Sequence, residues 1–440
     1  MSEPTNSTGQ HKSYWAIVRQ QFAKNRLAVF ASRCVVFLVL LAVYAPVLAS
    51  DRPFLFWGPG EHSLPWLRDL FDHNEYSQPI DLFFNLLIFY LPIAYIIFMR
   101  IRKHALLHGT WTARRSFRLL GLKFAILVWL FLGVYLPDSV VDSPSGRIAF
   151  APGRAIRSSK PVVDYHEKIA ELKASNLPVF FLFPPAPYYY DKTRNKEQLL
   201  EPDYYFGEPS REVEGVVGPH ILGTDVGGKD VFAMLIFGTR ISMTVGVIAV
   251  ALYCTIGIIA GSVAGFFGGW VDALISRLVE IFMSFPFLVF ILTVVAVFES
   301  KSIFLVMAAI GLISWTGVAR LVRGEFLTQR NQEYVLAARA LGIPQRRVIF
   351  RHVLPNSLTP VLVAATFGVA AAILAESTIS FLGLGDPLAA SWGKLLNLGR
   401  QNTQSGWLIF PPGVAIFFTV TVFNLVGEGL RDALDPKLRQ

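Results

Sequence analysis

Between two apolar runs lies EYVLAARALGIPQRRVIFRHVLPN, Glu333 to Asn356, and its pattern decides how the rest of the chain is read. From Glu333 onward, Tyr334, Ala337, Ala338 and Leu341 fall on one face of a short helix. Gly342 can end that helix, and Pro344 suits the first turn of a second. The spacing therefore predicts two short helices meeting at a bend. Small alanines permit close approach, while Arg346, Arg347 and Arg351 offer charge to a soluble partner or to lipid headgroups. Held by apolar runs on both sides, such an element works as a rigid knob at a membrane face.

The flanking runs are long. A helix needs about 20 mostly apolar residues to cross a bilayer, because every backbone N–H and C=O must be satisfied within the lipid. About eight segments meet that length: Leu27 to Leu48, Leu82 to Met99, Leu119 to Leu136, Ile241 to Gly265, Val279 to Phe298, Ile303 to Ala319, Leu358 to Phe381 and Trp407 to Val426. The composition agrees, since 53% hydrophobic content with 16% charged residues does not suit a purely soluble protein. A formal charge of +9 could suggest nucleic acid, but the basic residues gather beside the apolar runs, as a lipid bilayer requires, and no nucleic acid partner is expected. Cys34 and Cys254 both lie inside apolar runs and give neither a disulfide framework nor a metal-ligand spacing. The polar stretch before the first run is too long for a cleavable signal peptide, so that run is expected to be a retained anchor.

Lys and Arg in short loops set the orientation. They precede the first span (Lys12, Arg19, Lys24, Arg26), separate the second from the third, follow the sixth and recur in the tail. Both termini are thus expected in the cytoplasm, with residues 137–239 outside. That outer segment is polar, proline-bearing and tyrosine-rich, as in FPPAPYYYDKTRNKEQ and EPDYYFGEP, and no fold is assigned to it from pattern. Its tyrosines are expected either to be structural or to help dock a solute-binding partner.

The stretch after Glu333 resembles the cytoplasmic EAA loop of ABC importer permeases, whose pattern runs Glu-Ala-Ala, three residues, Gly, nine residues, Ile, one residue, Leu-Pro. Ala337, Ala338, Gly342, Leu354 and Pro355 fall on it in register. Leu336 and His352 depart from it, at sites where the dipeptide and oligopeptide branch is looser. HILGTDVGGKDVFAMLIFGTRISM, GFFGGWVD, ESTISFLGLG and GEGLRDALDPKLRQ extend the resemblance from about Gly218 to the C-terminus. The first anchor followed by DRPFLFW is similar to the branch of microcin C and oligopeptide uptake.

The resemblance implies an all-α integral membrane protein with a type I ABC importer permease core and an extracytoplasmic insertion. It implies a homologous second permease, two cytoplasmic ATPase subunits and an extracytoplasmic solute-binding protein as partners, with peptides, nickel chelates or peptide-derived antibiotics as solute. The layout expected is a cytoplasmic segment 1–26, a membrane region 27–136 with three spans, the outer segment 137–239, a core 240–428 with five spans and coupling loop 321–357, and a cytoplasmic tail 429–440. A membrane anchor that recruits partners without transport is the competing function.

GTDVGGK, from Gly223 through Gly228 to Lys229, imitates a phosphate-binding loop, but Asp230 stands where a Ser or Thr hydroxyl would meet magnesium. A glycine-rich elbow before a helix is expected instead. Ionisable and polar groups within spans, Glu376, Asn424 and Glu428, are candidates for a pathway or gate, weighed against helix-to-helix ties. No cofactor is expected and no acid, base or nucleophile set has catalytic spacing, so the chain reads as a permease and not an enzyme.

Overall fold

The computed structural model describes residues 14–59, 61–72, 75–76, 78–108, 121, 140–142, 148–150, 163–194, 197–202, 220–298 and 302–435. The chain opens with α1 (Tyr14–Phe22), α2 (Arg26–Val43), α3 (Ala45–Leu48), β1 (Leu55–Gly58), β2 (Glu61–Ser63), α4 (Pro65–Asp69) and α5 (Pro79–His108). Strands β3 (Val140–Asp142) and β4 (Ile148–Phe150), helix α6 (Tyr165–Ala174) and strand β5 (Phe180–Leu182) follow. Then come α7 (Val231–Phe267), α8 (Gly269–Ser284), α9 (Phe287–Val297), α10 (Ile303–Gln329), α11 (Glu333–Ala340) and α12 (Gln345–Arg347). A π-helical turn (Val348–Val353) leads to α13 (Leu354–Ser357), α14 (Thr359–Phe381), α15 (Trp392–Gln401), a 3₁₀ turn (Gly406–Leu408) and α16 (Phe410–Leu434). Two compact units are formed: Met1–Leu38, Ser242–Pro387 and Pro412–Gln440 make one, Val39–Ile241 and Leu388–Pro411 the other.

Among the described residues, α2, α5, α7, α10, α14 and α16 are long and apolar enough to cross a membrane. They answer to six of the expected spans. The expected span from Val279 to Phe298 is divided between α8 and α9, which meet at 84°. Proline explains the break: Pro286 has no N–H to give, and both it and Phe285 are extended, with ψ of 127° and 128°. The expected span from Leu119 to Leu136 lies outside the described residues.

The unit containing residues 137–239 is not purely helical. A small antiparallel sheet in the order β2-β1-β5 backs onto α6, and β3 pairs with β4. Alternation along β1 puts Phe56 into a core with Tyr165 and Ile169 while Trp57 faces out. Tyr188, Tyr189 and Tyr190 are 2–4% exposed, so these tyrosines build the interior and do not dock a partner. Their hydroxyls are needed there, since Tyr190 Oη donates to Asp81 Oδ2 at 2.9 Å. Tyr204 and Tyr205 lie outside the described residues.

Asp81 answers a buried charge. Arg240, at 0% exposure near the start of α7, donates to Asp81 Oδ1 (3.1 Å) and Asn85 Oδ1 (2.8 Å) on α5 and to the carbonyls of Ala42 (2.7 Å) and Val43 (3.3 Å) at the end of α2. Phe84 and Phe237 flank the guanidinium at 5.4 and 4.9 Å. A buried ion is tolerated only when paired and hydrogen-bonded, and this one is both. The starts of α5 and α7 and the end of α2 are thereby fixed to one another.

In the other unit the contact of α7 with α10 depends on glycine. A Cβ at Gly257, Gly261 or Gly265 would lie 2.6 Å from Val318 Cβ, 2.4 Å from the Ala319 carbonyl and 2.6 Å from Phe326 Cβ respectively. Spaced four residues apart, the three make a stripe on which two backbones meet without intervening side chains.

Arg240→Met should destabilise the protein by about 3–5 kcal/mol, because Asp81 would be left buried without its cation. Gly261→Leu should cost about 1–3 kcal/mol or more by forcing α10 away. Both are read as lowered melting temperature of the purified protein in mild detergent.

Candidate functional site

The stretch from Glu333 folds as the sequence predicts, into helices that meet at a bend. Val335 (0% exposed) and Ala338 (6%) are the inward face of α11, and Ala337, Tyr334 and Leu341 stay outside, Leu341 at 80%. The helix ends in paired reverse bonds, Ile343 N–H to the Ala338 carbonyl (3.1 Å) and Gly342 N–H to the Arg339 carbonyl (2.9 Å). That closure needs a left-handed residue, and Gly342 supplies it at φ +73°. Pro344 is extended and stands just ahead of α12 as its cap, one step before the first-turn position the sequence suggested.

Beyond the bend the arm is not a regular α-helix. From Val348 to Val353 the bonding widens to π register, with the Leu354 N–H reaching the Ile349 carbonyl. Pro355, which has no N–H, follows directly. Val348 and Val353 are fully buried and anchor the arm. A polar strut spans the bend: Tyr334 Oη donates to Gln329 Oε1 (2.7 Å) and accepts from Asn356 Nδ2 (3.2 Å), so the end of α10, the start of α11 and α13 are tied. Periodicity gives no sign of this strut, because it depends on how the chain folds back.

The outer side of the arm is a groove of about 700 Å³ lined by Pro344, Arg346, Arg347, Phe350, Arg351 and Pro355. Three guanidiniums beside an exposed Phe350 (62%) suit a partner that is both acidic and apolar. Glu333 is exposed at the start of α11, and Leu354 is half-buried between arm and span. The element is also held to the spans: Arg330 Nη1 donates to the Gly265 carbonyl at 3.0 Å, Arg323 forms a two-point ion pair with Asp272 of α8, and the Arg339 guanidinium lies 5.2 Å from the Phe266 ring.

The three intramembrane candidates occupy different surroundings. Glu376 is fully buried and accepts from Ser380 Oγ (2.6 Å) one turn along α14, while Asn424 and Glu428 are exposed on one face of α16. A cleft of about 260 Å³ between α7, α9, α10 and α14 has Tyr253 and Ser314 as its polar side chains, with Gly317, Ala364, Gly368 and Ala371 in its wall. The sequence did not single these out, because a lone Tyr or Ser in an apolar run carries no distinctive spacing. Among the described residues no group of three or more His, Cys, Asp or Glu is placed to hold a metal.

GTDVGGK proves to be an elbow. Asp225 Oδ1 accepts from the N–H groups of Gly227 and Lys229, both at 2.8 Å, so the loop's own carboxylate occupies the place an anion would take. Lys229 Nζ turns to Asp191 at 2.6 Å. Gly228 is at φ +71°, and a Cβ there would lie 1.9 Å from the Arg194 carbonyl.

Among the described residues, apolar helices of crossing length with a bent, polar element between two of them define a multi-pass membrane protein. Residues 257–440 match the family model of binding-protein-dependent transport system inner membrane components, and residues 13–62 that of the N-terminal TM domain of oligopeptide transport permease C. The oligopeptide transport system permease protein OppC of Haemophilus influenzae is 44% identical over 225 residues, which cover 50% of this chain and 72% of that one. The dipeptide transport system permease protein DppC of Alkalihalophilus pseudofirmus is 39% identical over 243 residues, covering 55% and 80%. A chain of the MetNI methionine ABC transporter aligns at 17% identity over 46% of this chain and 96% of its own, with a TM-score of 0.38, too slight a likeness to argue from. The chain belongs to the binding-protein-dependent ABC importer permease family, and its helical core is the type I importer permease fold.

A side chain at position 342 meets no atom within 4 Å, so only its positive φ resists substitution. Gly342→Ala should cost about 1 kcal/mol and Gly342→Asn distinctly less, since asparagine tolerates the left-handed region. The comparison is made by melting temperature.

Proposed function

We propose that this chain is one of two permease subunits that together line the pathway of a bacterial ABC importer for peptides, with ATP hydrolysed on two separate cytoplasmic subunits. A solute-binding protein delivers the cargo from outside. The peptide class follows the relatives, which are named for oligopeptides and dipeptides.

The observation that carries the proposal is the bent element between α10 and α14. It is stiff inside, through its glycine-closed helix and the Tyr334 strut, and adherent outside, through Leu341, Phe350 and the arginine groove. ATP-driven closure of a soluble subunit reaches the spans only through something stiff, and differential contact in the two states is what couples them. Glu333, Ala337, Ala338, Gly342, Pro344, Arg346, Arg347, Leu354 and Pro355 make up this coupling surface or its support. The face of α16 bearing Asn424 and Glu428 is turned to the second permease or to the pathway, because a charged group facing lipid is costly. Glu376 serves as a tie within α14. The layout is a multi-pass protein of the inner membrane with cytoplasmic termini, the coupling loop 321–357 inside and residues 137–239 outside.

Gly342→Asp tests the coupling directly. The new side chain has room within this chain and asparagine-like tolerance of the backbone, so the protein should insert and melt normally. Peptide uptake should fall to background, and an ATPase and a second permease recovered with the tagged wild type in mild detergent should be lost. Wild-type uptake by Gly342→Asp would sink the coupling role. A wild-type protein recovered without an ATPase or a second permease, but with other partners held by residues 137–239, would favour the non-transporting anchor.

A further inference from the structure

The connection that precedes α7 is fastened by one imidazole. His220 is 2% exposed, and each ring nitrogen meets a carboxylate, Nδ1 at 2.8 Å from Asp230 Oδ2 and Nε2 at 3.0 Å from Glu197 Oε2. A neutral imidazole has a single N–H, whereas carboxylate oxygens only accept, so the two contacts are satisfied together by the imidazolium. Both acidic residues have structural duties as well. Asp230 Oδ1 accepts from the Ala233 N–H (2.7 Å) and so caps the first turn of α7, and the Glu197 carbonyl accepts from Thr224 Oγ1 in the elbow.

The surroundings keep other titrations away. One face of the His220 ring stacks on Tyr188, at 4.0 Å between centroids, and Tyr188 also stacks with His166, at 5.4 Å. Burial, aided by the Arg194 guanidinium, pushes His166 down to about 4, so it is neutral wherever His220 titrates. Arg194 lies 3.7 Å from Glu197 Oε1 and over Tyr188, while Lys229 is engaged by Asp191 and Asp225 by the elbow's own N–H groups. Burial works against charge on His220, but hydrogen bonds to Asp230 and Glu197 outweigh it and lift its pKa above the ordinary 6.5.

We propose that His220, as an imidazolium shared by Glu197 and Asp230, is a positioning residue that fastens the outer connection to the start of α7 and releases it when its proton is lost. A raised folded pKa gives a contribution fully present below the ordinary value and lost as pH rises through the folded one. The start of α7 is therefore fastened in acid and loosened in mild alkali. On the transport reading this end of the core lies outside, so external pH sets it. That last step rests on the transport reading, and the measurement below does not.

Hydrogen–deuterium exchange of the purified full chain, corrected for the intrinsic pH dependence of amide exchange, should show residues 220–235 protected below the ordinary histidine value of about 6.5 and losing protection as pH rises above it. The loss should be about tenfold for each unit by which the folded pKa exceeds the ordinary value. His220→Gln should remove the pH step. Glu197→Gln, which keeps the Asp230 contact, should move its midpoint to lower pH. A flat wild-type profile, a His220→Gln profile with the wild-type step, or an unmoved midpoint in Glu197→Gln would each overturn the proposal.

Discussion

Gly257, Gly261 and Gly265 let α7 and α10 touch along their backbones, and the placement of the bent element that follows α10 depends on that contact. Lipid is as apolar as a leucine side chain, so helices in a bilayer gain little by hiding apolar surface from it. They associate through close packing, which side chains at these positions would prevent. Because α10 runs from that contact almost directly into α11, and Arg330 fastens its end to the Gly265 carbonyl, the bend is tied to two long helices at once, as the coupling role proposed above requires. Stiffness in the bend would be of no use if α10 could slide along α7.

Arg240 plays the matching part in the other unit by a different principle. There the contact is polar, and the cost of a buried guanidinium makes its partners obligatory. Its bonds run to α5 and to the end of α2, so the span Pro79–His108 is bound to the first turns of α7 by Asp81 and Asn85. Tyr189 and Tyr190, more than a hundred residues along the chain, complete that network through Asp81. Residues 189 and 190 are thus joined to α5 by hydrogen bonds to a buried carboxylate.

The parts legible in the sequence were those governed by local rules. Apolar run length located the spans, and the Gly342–Pro344 spacing gave the bend, because helix closure at a left-handed glycine is a matter of a few consecutive residues. The break at Phe285–Pro286 was readable in principle from proline chemistry, but continuous hydropathy concealed it. The tyrosines 188 to 190 left two readings open for a related reason: an amphipathic ring suits an interface and an interior equally, and only Asp81, more than a hundred residues away, decides between them. The Tyr334–Asn356 strut, the His220 contacts and the Tyr253–Ser314 cleft join residues distant along the chain, and no periodicity encodes them. In GTDVGGK the glycines were understood as an elbow, yet that Asp225 would fill its own nest was visible only in three dimensions.

The π turn from Val348 to Val353 has a consequence for the kind of motion the bend can pass on. It holds one residue more than an α-turn would, and each residue of α-helix corresponds to about 100° of rotation about the axis. The arm bearing Arg346 and Arg347 and the span α14 are therefore out of phase across it. A slip of that turn into α register would change the reach of the arm by little more than an ångström while swinging its arginine face through roughly a quarter of a circle. On the coupling role proposed above, a joint built in this way passes on torque more than thrust.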